Sequence, residues 1–338
     1  YNANRESGMG LEIRAADGAP VARVSDCTLG VASMAATSVG AVVVAESVSG
    51  CPAIEDSGSH VVWFDDTLSP EESISIERPD ASAVMPDGTA LTFYERYDSS
   101  EGRQWIDVVA RSPGGTSQTH ELDRAQLGDS VWGVPGGFVV RDGTAVAMYS
   151  ADATETWRHS VTGGVTADGF DVQVADSRVF VLIDPGPETE FAGQSPGSDY
   201  QTLSRENSWL LEIGRDSGEV TGEMWSPAKI APPQSSIRRA GSGRWLVVNQ
   251  RQKQLTLDAY VDGERVVGWA YDNSESYNCM GGGCIYRQTH MVAGDEGRWW
   301  VLTSQDPGSV NYDGVTVTGV HASRAVLIGL DPSTAWSR

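Results

Sequence analysis

Short runs of β-branched and apolar residues, separated by turn residues, occupy almost the whole chain, and helical periodicity is nearly missing. The turns include Asp-Gly pairs at Asp87-Gly88, Asp142-Gly143 and Asp262-Gly263. Such a pair favours a tight hairpin, because both central residues of the turn take a positive φ. The sequence therefore predicts an all-β protein of antiparallel hairpins, which leaves a sandwich, a barrel or a propeller open.

Several segments repeat one order, in which two apolar strands and a turn with Asp or Gly are followed by a short strand ending near a tryptophan. These units end at Trp157, Trp225, Trp269 and Trp336. Trp269 follows Trp225 by 44 positions, and a four-stranded propeller blade needs roughly 40–50 residues. The two longer gaps contain insertions, at Pro185–Asn207 and Asp306–Ser323. The spacing favours a propeller over the other two architectures.

Three of these units share a finer motif. Its residues are Leu210–Ile213 with Asp216–Glu219 and Trp225, Val326–Thr334 with Trp336, and a shortened copy, Met148–Thr154 with Trp157. The motif resembles the quinoprotein-like (PQQ-like) β-propeller repeat, in its non-enzymatic, exported bacterial type. The resemblance covers about three-quarters of the chain, and it implies small four-stranded sheets arranged as blades around an axis.

The resemblance leads us to predict one β-propeller domain that spans residues 1–338. We expect seven blades, with six or eight as alternatives. The segment Leu11–Val24 is similar to the last two strands of a blade that lacks its first two. We therefore expect it to add strands to the C-terminal blade, which would close the ring and remove open sheet edges.

The charge balance limits the classes of partner and the cellular compartment that we expect for this protein. The chain has 46 acidic and 24 basic residues, a net charge of −22, which disfavours nucleic acid and anionic membrane surfaces as partners. No apolar run approaches the ~18–20 residues of a membrane span. Lysine occurs only twice, at Lys229 and Lys253. Together with the acidic charge this fits an exported, monomeric protein. Since the chain begins at Tyr1, we expect that a leader or an anchoring segment has been removed.

The four cysteines form two pairs that are close in sequence. Cys27 and Cys51 make one pair, and Cys279 and Cys284 make the other. We predict a disulfide in each, as in an extracytoplasmic protein that is secreted or held at the cell surface. Free buried thiols and a zinc site are the alternatives, although the spacing lacks a companion zinc-ligand pair.

Two enzymatic alternatives were weighed. The stretch Ser150–Trp157 resembles the Asp box of sialidase-type propellers, with Thr154 in the glycine position, but an Asp box is a folding element. A glycan-acting hydrolase with its site in a central channel is the alternative function. PQQ-dependent dehydrogenases carry a vicinal cysteine disulfide, which Cys279 and Cys284 do not match. The sequence therefore favours a non-catalytic protein without PQQ and leaves an enzyme open.

One loop offers ligands for a calcium ion. Asp306, Asn311 and Asp313 supply oxygen atoms near Gly314, and hard cations prefer such ligands. The spacing does not match an EF-hand loop, and a solvated acidic loop is the favoured explanation. We therefore expect no cofactor, with a structural calcium ion as the alternative.

Three long insertions occur in successive repeats, at Asp184–Asn207, Asp272–Gln288 and Asp306–Ser323. In a ring of repeats, equivalent insertions fall on one face, and recognition usually resides on loops that a rigid scaffold carries. We predict that this face binds a protein or a cell-envelope glycan. The aromatic residues predicted to contact the partner are Tyr277, Tyr286, Trp299, Trp300 and Tyr312.

Overall fold

The computed structural model describes residues 11–14, 20–24, 28–37, 40–51, 54, 57–124, 126–175, 178–197, 200–230, 235–239, 244–251, 254–261, 264–272, 289–293, 299–305, 309–312, 315–317 and 324–330. This part of the chain is all-β, which confirms the predicted fold class. Its helical content is one turn at Tyr200–Leu203 and a 3-10 turn at Ala167–Gly169. Neither of these helices has the length and apolar character that crossing a bilayer requires.

The described strands form seven sheets. The first is a hairpin of β1 (Leu11–Arg14) and β2 (Pro20–Val24). The second contains β3 (Thr28–Thr37), β4 (Gly40–Ser49), β5 (Gly58–Asp65) and β6 (Pro70–Ile76). The third contains β7 (Ala81–Val84), β8 (Ala90–Asp98), β9 (Arg103–Arg111) and β10 (Ser117–Leu122). The fourth contains β11 (Ser130–Val134), β12 (Gly137–Asp142), β13 (Ala145–Ser150) and β14 (Glu155–Ser160).

The fifth sheet contains β15 (Phe170–Ala175), β16 (Arg178–Ile183), β17 (Trp209–Gly214) and β18 (Val220–Trp225). The sixth contains β19 (Ser235–Arg239), β20 (Arg244–Arg251), β21 (Gln254–Val261) and β22 (Glu264–Asp272), extended by β25 (Ser309–Tyr312) and β26 (Val315–Val317). The seventh contains β23 (Thr289–Ala293), β24 (Trp299–Gln305) and β27 (Arg324–Leu330). Each four-stranded sheet is a meander whose strands lie side by side in chain order.

Aspartate side chains close several of the hairpins. In the turn between β5 and β6, Asp65 Oδ1 accepts the backbone N–H of Thr67 at 2.9 Å and that of Ser69 at 2.8 Å. The hydroxyl of Thr67 also donates to this oxygen, at 2.8 Å. These hydrogen bonds, led by the one from the Thr67 side chain, lower the pKa of Asp65. Asp and Asn favour such turns because their short side chains can bond the backbone two residues on.

Most second and third strands of the four-stranded sheets contain runs of residues that are buried on both faces, whereas the fourth strands are mostly half-buried or exposed. In β5 six consecutive residues are buried, but β6 has no fully buried position. Such runs form when both faces of a strand are covered. One core cluster joins the third and fourth sheets and includes Phe93, Phe138 and Tyr149. These sheets therefore pack face to face, and each large apolar side chain contributes about 1.5–3 kcal/mol.

The chain divides into two compact units. The first comprises Tyr1–Val161, Val174–Val179 and Ile213–Val220, and the second comprises the remainder. In the first unit, β7 contacts both β3 and β11, so the first strands of three successive sheets lie together. A Cβ on Gly133 of β11 would stand 2.2 Å from the carbonyl oxygen of Val84, and only glycine permits this approach. In the second unit, β19 and β23 are likewise neighbours.

One finer prediction, closure of the ring by the N-terminal hairpin, is not met by the described strand pairings. The hairpin of β1 and β2 forms a sheet of its own, and β27 pairs with β24. The expected addition of the N-terminal hairpin to the C-terminal blade therefore has no counterpart among the described pairings. The number of blades and the single domain over residues 1–338 stay predictions.

The third insertion is not the simple loop that the sequence predicts. Within Asp306–Ser323, β25 and β26 form a hairpin, and β25 pairs with β22 of the preceding sheet. Backbone hydrogen bonding to an available strand edge explains this difference, because it satisfies polar groups that a loop would leave to water.

Candidate functional site

Of the three insertions on the predicted binding face, the first, which connects β16 to β17, is described almost completely. Its side chain Phe191 is 1 % exposed and packs 6.1 Å from the ring of Phe170. The backbone N–H of Thr162 donates to the carbonyl of Glu190 at 2.9 Å. A Cβ on Gly163 would lie 2.2 Å from the carbonyl oxygen of Glu188. The insertion is therefore anchored to the segment that leads into β15.

A lysine and two small polar residues tie this insertion to the segment after β18. Lys229 forms an ion pair with Asp184 at 2.8 Å and donates to the carbonyl of Ser204 at 3.3 Å. The hydroxyl of Ser208 accepts the N–H of Ile230 at 2.8 Å. Three connections are thereby held together, and we call them the connection surface: residues 162–169, 184–208 with a gap at 198–199, and 226–230.

The outward side of the connection surface is mostly acidic. Its exposed charged residues are Asp168, Glu188, Glu190, Arg205 and Glu206. The backbone of the insertion makes the anchoring contacts at Glu188 and Glu190, so their carboxylates stay in solvent. Such groups accept hydrogen bonds and pair with cationic groups of a partner.

The described residues do not test whether the five predicted aromatic side chains lie together. Trp299 and Trp300 begin β24, where their backbones pair with Ala293 and Val292. The insertion leaves the same strand at Gln305, six residues later, which is about 20 Å at the rise of a β-strand. Tyr312 ends β25. Tyr277 and Tyr286, and the side chains of the other three, lie outside the described residues, so the contact role of this set stays a prediction.

The predicted cysteine and calcium sites are described only in part. Cys51 is buried and disulfide-bonded. Cys27, Cys279 and Cys284 lie outside the described residues, so both pairings stay predictions. Of the calcium ligands, Asn311 lies in β25 opposite Ala270, and Asp306 and Asp313 lie outside the described residues. Among the residues that are described, no group of three or more His, Cys, Asp or Glu side chains could hold a metal ion.

The Asp-box stretch is a folding element, as its resemblance implies. The hydroxyl of Ser150 donates to Asp152, and Asp152 Oδ1 accepts the N–H of Thr154 at 3.3 Å. Ala153 takes φ +64° in this turn. At the end of the stretch, the indole N–H of Trp157 donates to the carbonyl of Arg215 at 2.5 Å. The box thus closes the hairpin of β13 and β14 and positions its tryptophan.

Sequence reasoning missed a polar cluster beside this box. The hydroxyl of Tyr149 donates to Glu155 Oε2 at 2.8 Å and accepts a hydrogen bond from Arg158 at 2.6 Å. Arg124, from the connection between β10 and β11, reaches the same hydroxyl at 3.4 Å and forms an ion pair with Asp142. Tyrosine, glutamate and arginine side chains are residue types that sialidase chemistry requires.

Burial argues against a nucleophilic role for Tyr149. The side chain is 1 % exposed, and its ring stacks on Phe138 at 5.1 Å. Burial, together with the hydrogen bond to Glu155, raises the pKa of Tyr149, whereas a nucleophile needs a lowered pKa or a free base. Although burial opposes it, hydrogen bonds from Arg158 and Tyr149 lower the pKa of Glu155. These hydrogen bonds and ion pairs hold together the edges of the third and fourth sheets.

A second network has the same character at another sheet. Arg96 of β8 donates to Glu77 at 2.9 Å and to Asp107 at 3.0 Å, and its guanidinium lies 5.0 Å from the ring centre of Tyr94. The hydroxyl of Tyr94 donates to the carbonyl of Glu77 at 3.2 Å. The hydrogen bonds to Glu77 and Asp107 raise the pKa of Arg96. A tyrosine, an arginine and carboxylates thus hold the connection before β7.

No family model matches the chain, and no curated protein matches it. Among solved structures, it is similar to the β-propeller domain of the Trilobed protease from Pyrococcus furiosus (11 % identity, TM-score 0.44, covering 86 % of this chain and 83 % of that one). It is also similar to a neuraminidase-like protein from A/bat/Guatemala (11 %, 0.42, 80 % and 82 %). A third is the dihydro-heme d1 dehydrogenase NirN (12 %, 0.38, 95 % and 72 %). These likenesses concern the fold alone.

Proposed function

We propose that this chain is an exported β-propeller of the PQQ-like repeat type, a binding or scaffold module without catalysis. Its partner is a protein or a cell-envelope glycan, and its contact face includes the connection surface. The observation that carries this proposal is the anchoring of the first insertion by Phe191 and Lys229. The proposal keeps seven blades, the number that the sequence favours.

Anchoring favours binding because it reduces the ordering cost of association. An immobile loop loses less conformational freedom when a partner docks, and such preorganisation raises affinity. The insertion buries Phe191 against its own sheet and leaves Glu188 and Glu190 in solvent. A segment that served only to connect β16 to β17 could be a short turn, like the Asp142–Thr144 connection of the preceding sheet.

The alternative, a glycan hydrolase, has weaker support in the first unit. Glycosidases need two carboxyl groups roughly 5–10 Å apart on either side of the bond that they cleave. The three neighbouring first strands β3, β7 and β11 contain no charged residue. The one described tyrosine that pairs with a glutamate and arginines, Tyr149, is buried. Measured turnover on any member of a panel of glycans and p-nitrophenyl glycosides would overturn the non-catalytic proposal.

The contact face is tested by reversing charge on it without touching its anchors. In one variant Glu188→Lys and Glu190→Lys are combined. The matched control combines Glu71→Lys and Glu101→Lys, exposed glutamates on other sheets. Both variants change the net charge equally. Photo-crosslinking to an envelope fraction, read by mass spectrometry, and a glycan array measure binding.

We expect the first variant to lose binding at least about tenfold, the effect of about 1.4 kcal/mol, and the control to keep it. Equal binding by both variants would place the partner elsewhere and contradict the proposed face. No specific binding by the unaltered protein, in either assay, would contradict the binding role itself.

A further inference from the structure

The hairpin of β25 and β26 lies in an insertion of the seventh sheet but adds two strands to the sixth sheet. It lies in the connection between β24 and β27, yet β25 pairs with β22 of the sixth sheet. The pairs are Ala270 with Asn311, Tyr271 with Val310, and Asp272 with Ser309. This pairing makes the sixth sheet six-stranded, whereas no other described sheet has more than four strands.

The covered strand differs in sequence from the fourth strands of the other sheets. β22 has nine residues, and its stretch from Val266 to Tyr271 contains no charged residue and no proline. β6, β10, β14 and β18 have six or seven residues each, and none of them has an uncharged run longer than four residues. β22 is therefore the longest of these edges and has the longest uncharged run, with its charges, Glu264, Arg265 and Asp272, at the two ends.

An uncovered edge of this kind pairs readily with another chain, because its backbone N–H and C=O groups are free and its long uncharged run does not repel an incoming strand. Charged residues and short length protect the other fourth strands. β25 covers Ala270–Asp272 of β22, and the outermost strand at that point becomes β26, which has only three residues. We propose that the β25–β26 hairpin is a cover strand that keeps β22 from pairing with a second copy of this chain.

The full-length variant Val310→Pro tests the cover directly. Proline has no N–H and does not fit a strand that is paired on both sides, so β25 should leave β22. We expect the weight-average mass measured by sedimentation to rise about twofold or more, as for a dimer or a higher assembly. At a dilution where the variant is monomeric, hydrogen exchange should become faster at the amides of Ala270–Asp272, and association at higher concentration should slow it again. Circular dichroism should keep its β spectrum.

A second substitution distinguishes edge pairing from a general loss of structure. Tyr271→Lys places a charge on the β22 edge, and added to Val310→Pro it should restore the mass of the parent protein. Tyr271→Lys alone should leave the mass unchanged. The proposal is overturned if Val310→Pro sediments like the parent, or if the lysine does not reverse the association that proline causes.

Discussion

Trp157 lies directly against Gly218, the glycine of the turn between β17 and β18. A Cβ on this glycine would stand 2.6 Å from Cγ of the indole, closer than Cβ atoms approach other atoms in proteins. On the same strand His159 Nε2 bonds the carbonyl of Gly218 at 2.7 Å, and the rings of Trp157 and His159 stack at 5.4 Å. The tryptophan that ends one repeat therefore docks on the turn glycine of the next sheet.

Replacing this glycine should destabilise the protein through two separable effects. Gly218→Ala combines a positive φ, +69°, with the clash against Trp157. Gly102→Ala is the matched control, because Gly102 has φ +65° but nothing within 4 Å of a Cβ. We expect Gly218→Ala to cost about 1–3 kcal/mol more than the control, the usual range for overpacking. Urea denaturation measures the difference, and equal losses would mean that the docking contact carries no constraint.

The hydroxyl of Tyr149 should matter for stability. Tyr149→Phe keeps the stack on Phe138 but leaves Glu155 and Arg158 without their shared partner. We expect a loss of about 1–2 kcal/mol, the range for deleting one group of a partly buried network. Tyr97→Phe, at a side chain 64 % exposed, should change the free energy of unfolding by less than about 0.5 kcal/mol. A loss of the same size in both variants would contradict the stabilising role of the Tyr149 hydroxyl.

Local features of the fold follow from the sequence because they depend on neighbouring residues. The Asp-Gly pairs correctly predict turns at Asp87-Gly88 and Asp142-Gly143, but only the glycines take the positive φ expected of both residues, +87° at Gly88 and +58° at Gly143. Asp87 Oδ1 also accepts the N–H of Thr89 at 2.9 Å. A turn of this kind needs only a permissive glycine and a short acceptor side chain. The all-β class and the hairpins were predictable for this reason.

The candidate site and the polar networks around Tyr149 and Arg96 were less predictable, because they join residues that are distant in sequence. Arg124 lies in the connection between the third and fourth sheets and Tyr149 in the fourth, and they meet only once these elements pack. The β25–β26 hairpin forms on β22, 37 or more positions earlier, because that edge is free to accept it. Likewise nothing local marks Phe191 as an anchor, since its burial depends on Phe170 across the connection. Spacing along one strand contains no information on such contacts.

The turn carboxylates should make the protein less stable in acid. Hydrogen bonds from the Thr67 side chain and the backbone lower the native pKa of Asp65 below its ordinary value of 3.8. A lowered native pKa stabilises the folded state above the unfolded pKa, and this contribution disappears as the pH falls through the native value. Thermal unfolding between pH 6 and pH 2.5 should therefore show a smaller loss of Tm for Asp65→Asn than for the parent protein.

The control for this pH dependence is Asp66→Asn, which removes the same charge one residue along the chain. It should keep the acid sensitivity of the parent. If Asp65→Asn and Asp66→Asn gave the same Tm profile, net charge and not the turn hydrogen bonds would explain the sensitivity.

Loss of the Phe191 anchor should open the connection surface without unfolding the sheets. Phe191→Ala removes a fully buried ring that contacts Phe170, and such truncations cost about 3–5 kcal/mol where the site cannot collapse. Because Phe191 anchors an insertion, the loss should appear first as local opening, which makes the exposed Arg205 a trypsin site. We expect rapid cleavage after Arg205 while the rest of the chain stays intact. Phe138→Ala, within the core of two sheets, should instead give cleavage throughout the chain. If Phe191→Ala resisted trypsin at Arg205 like the parent, the insertion would be held without its aromatic anchor.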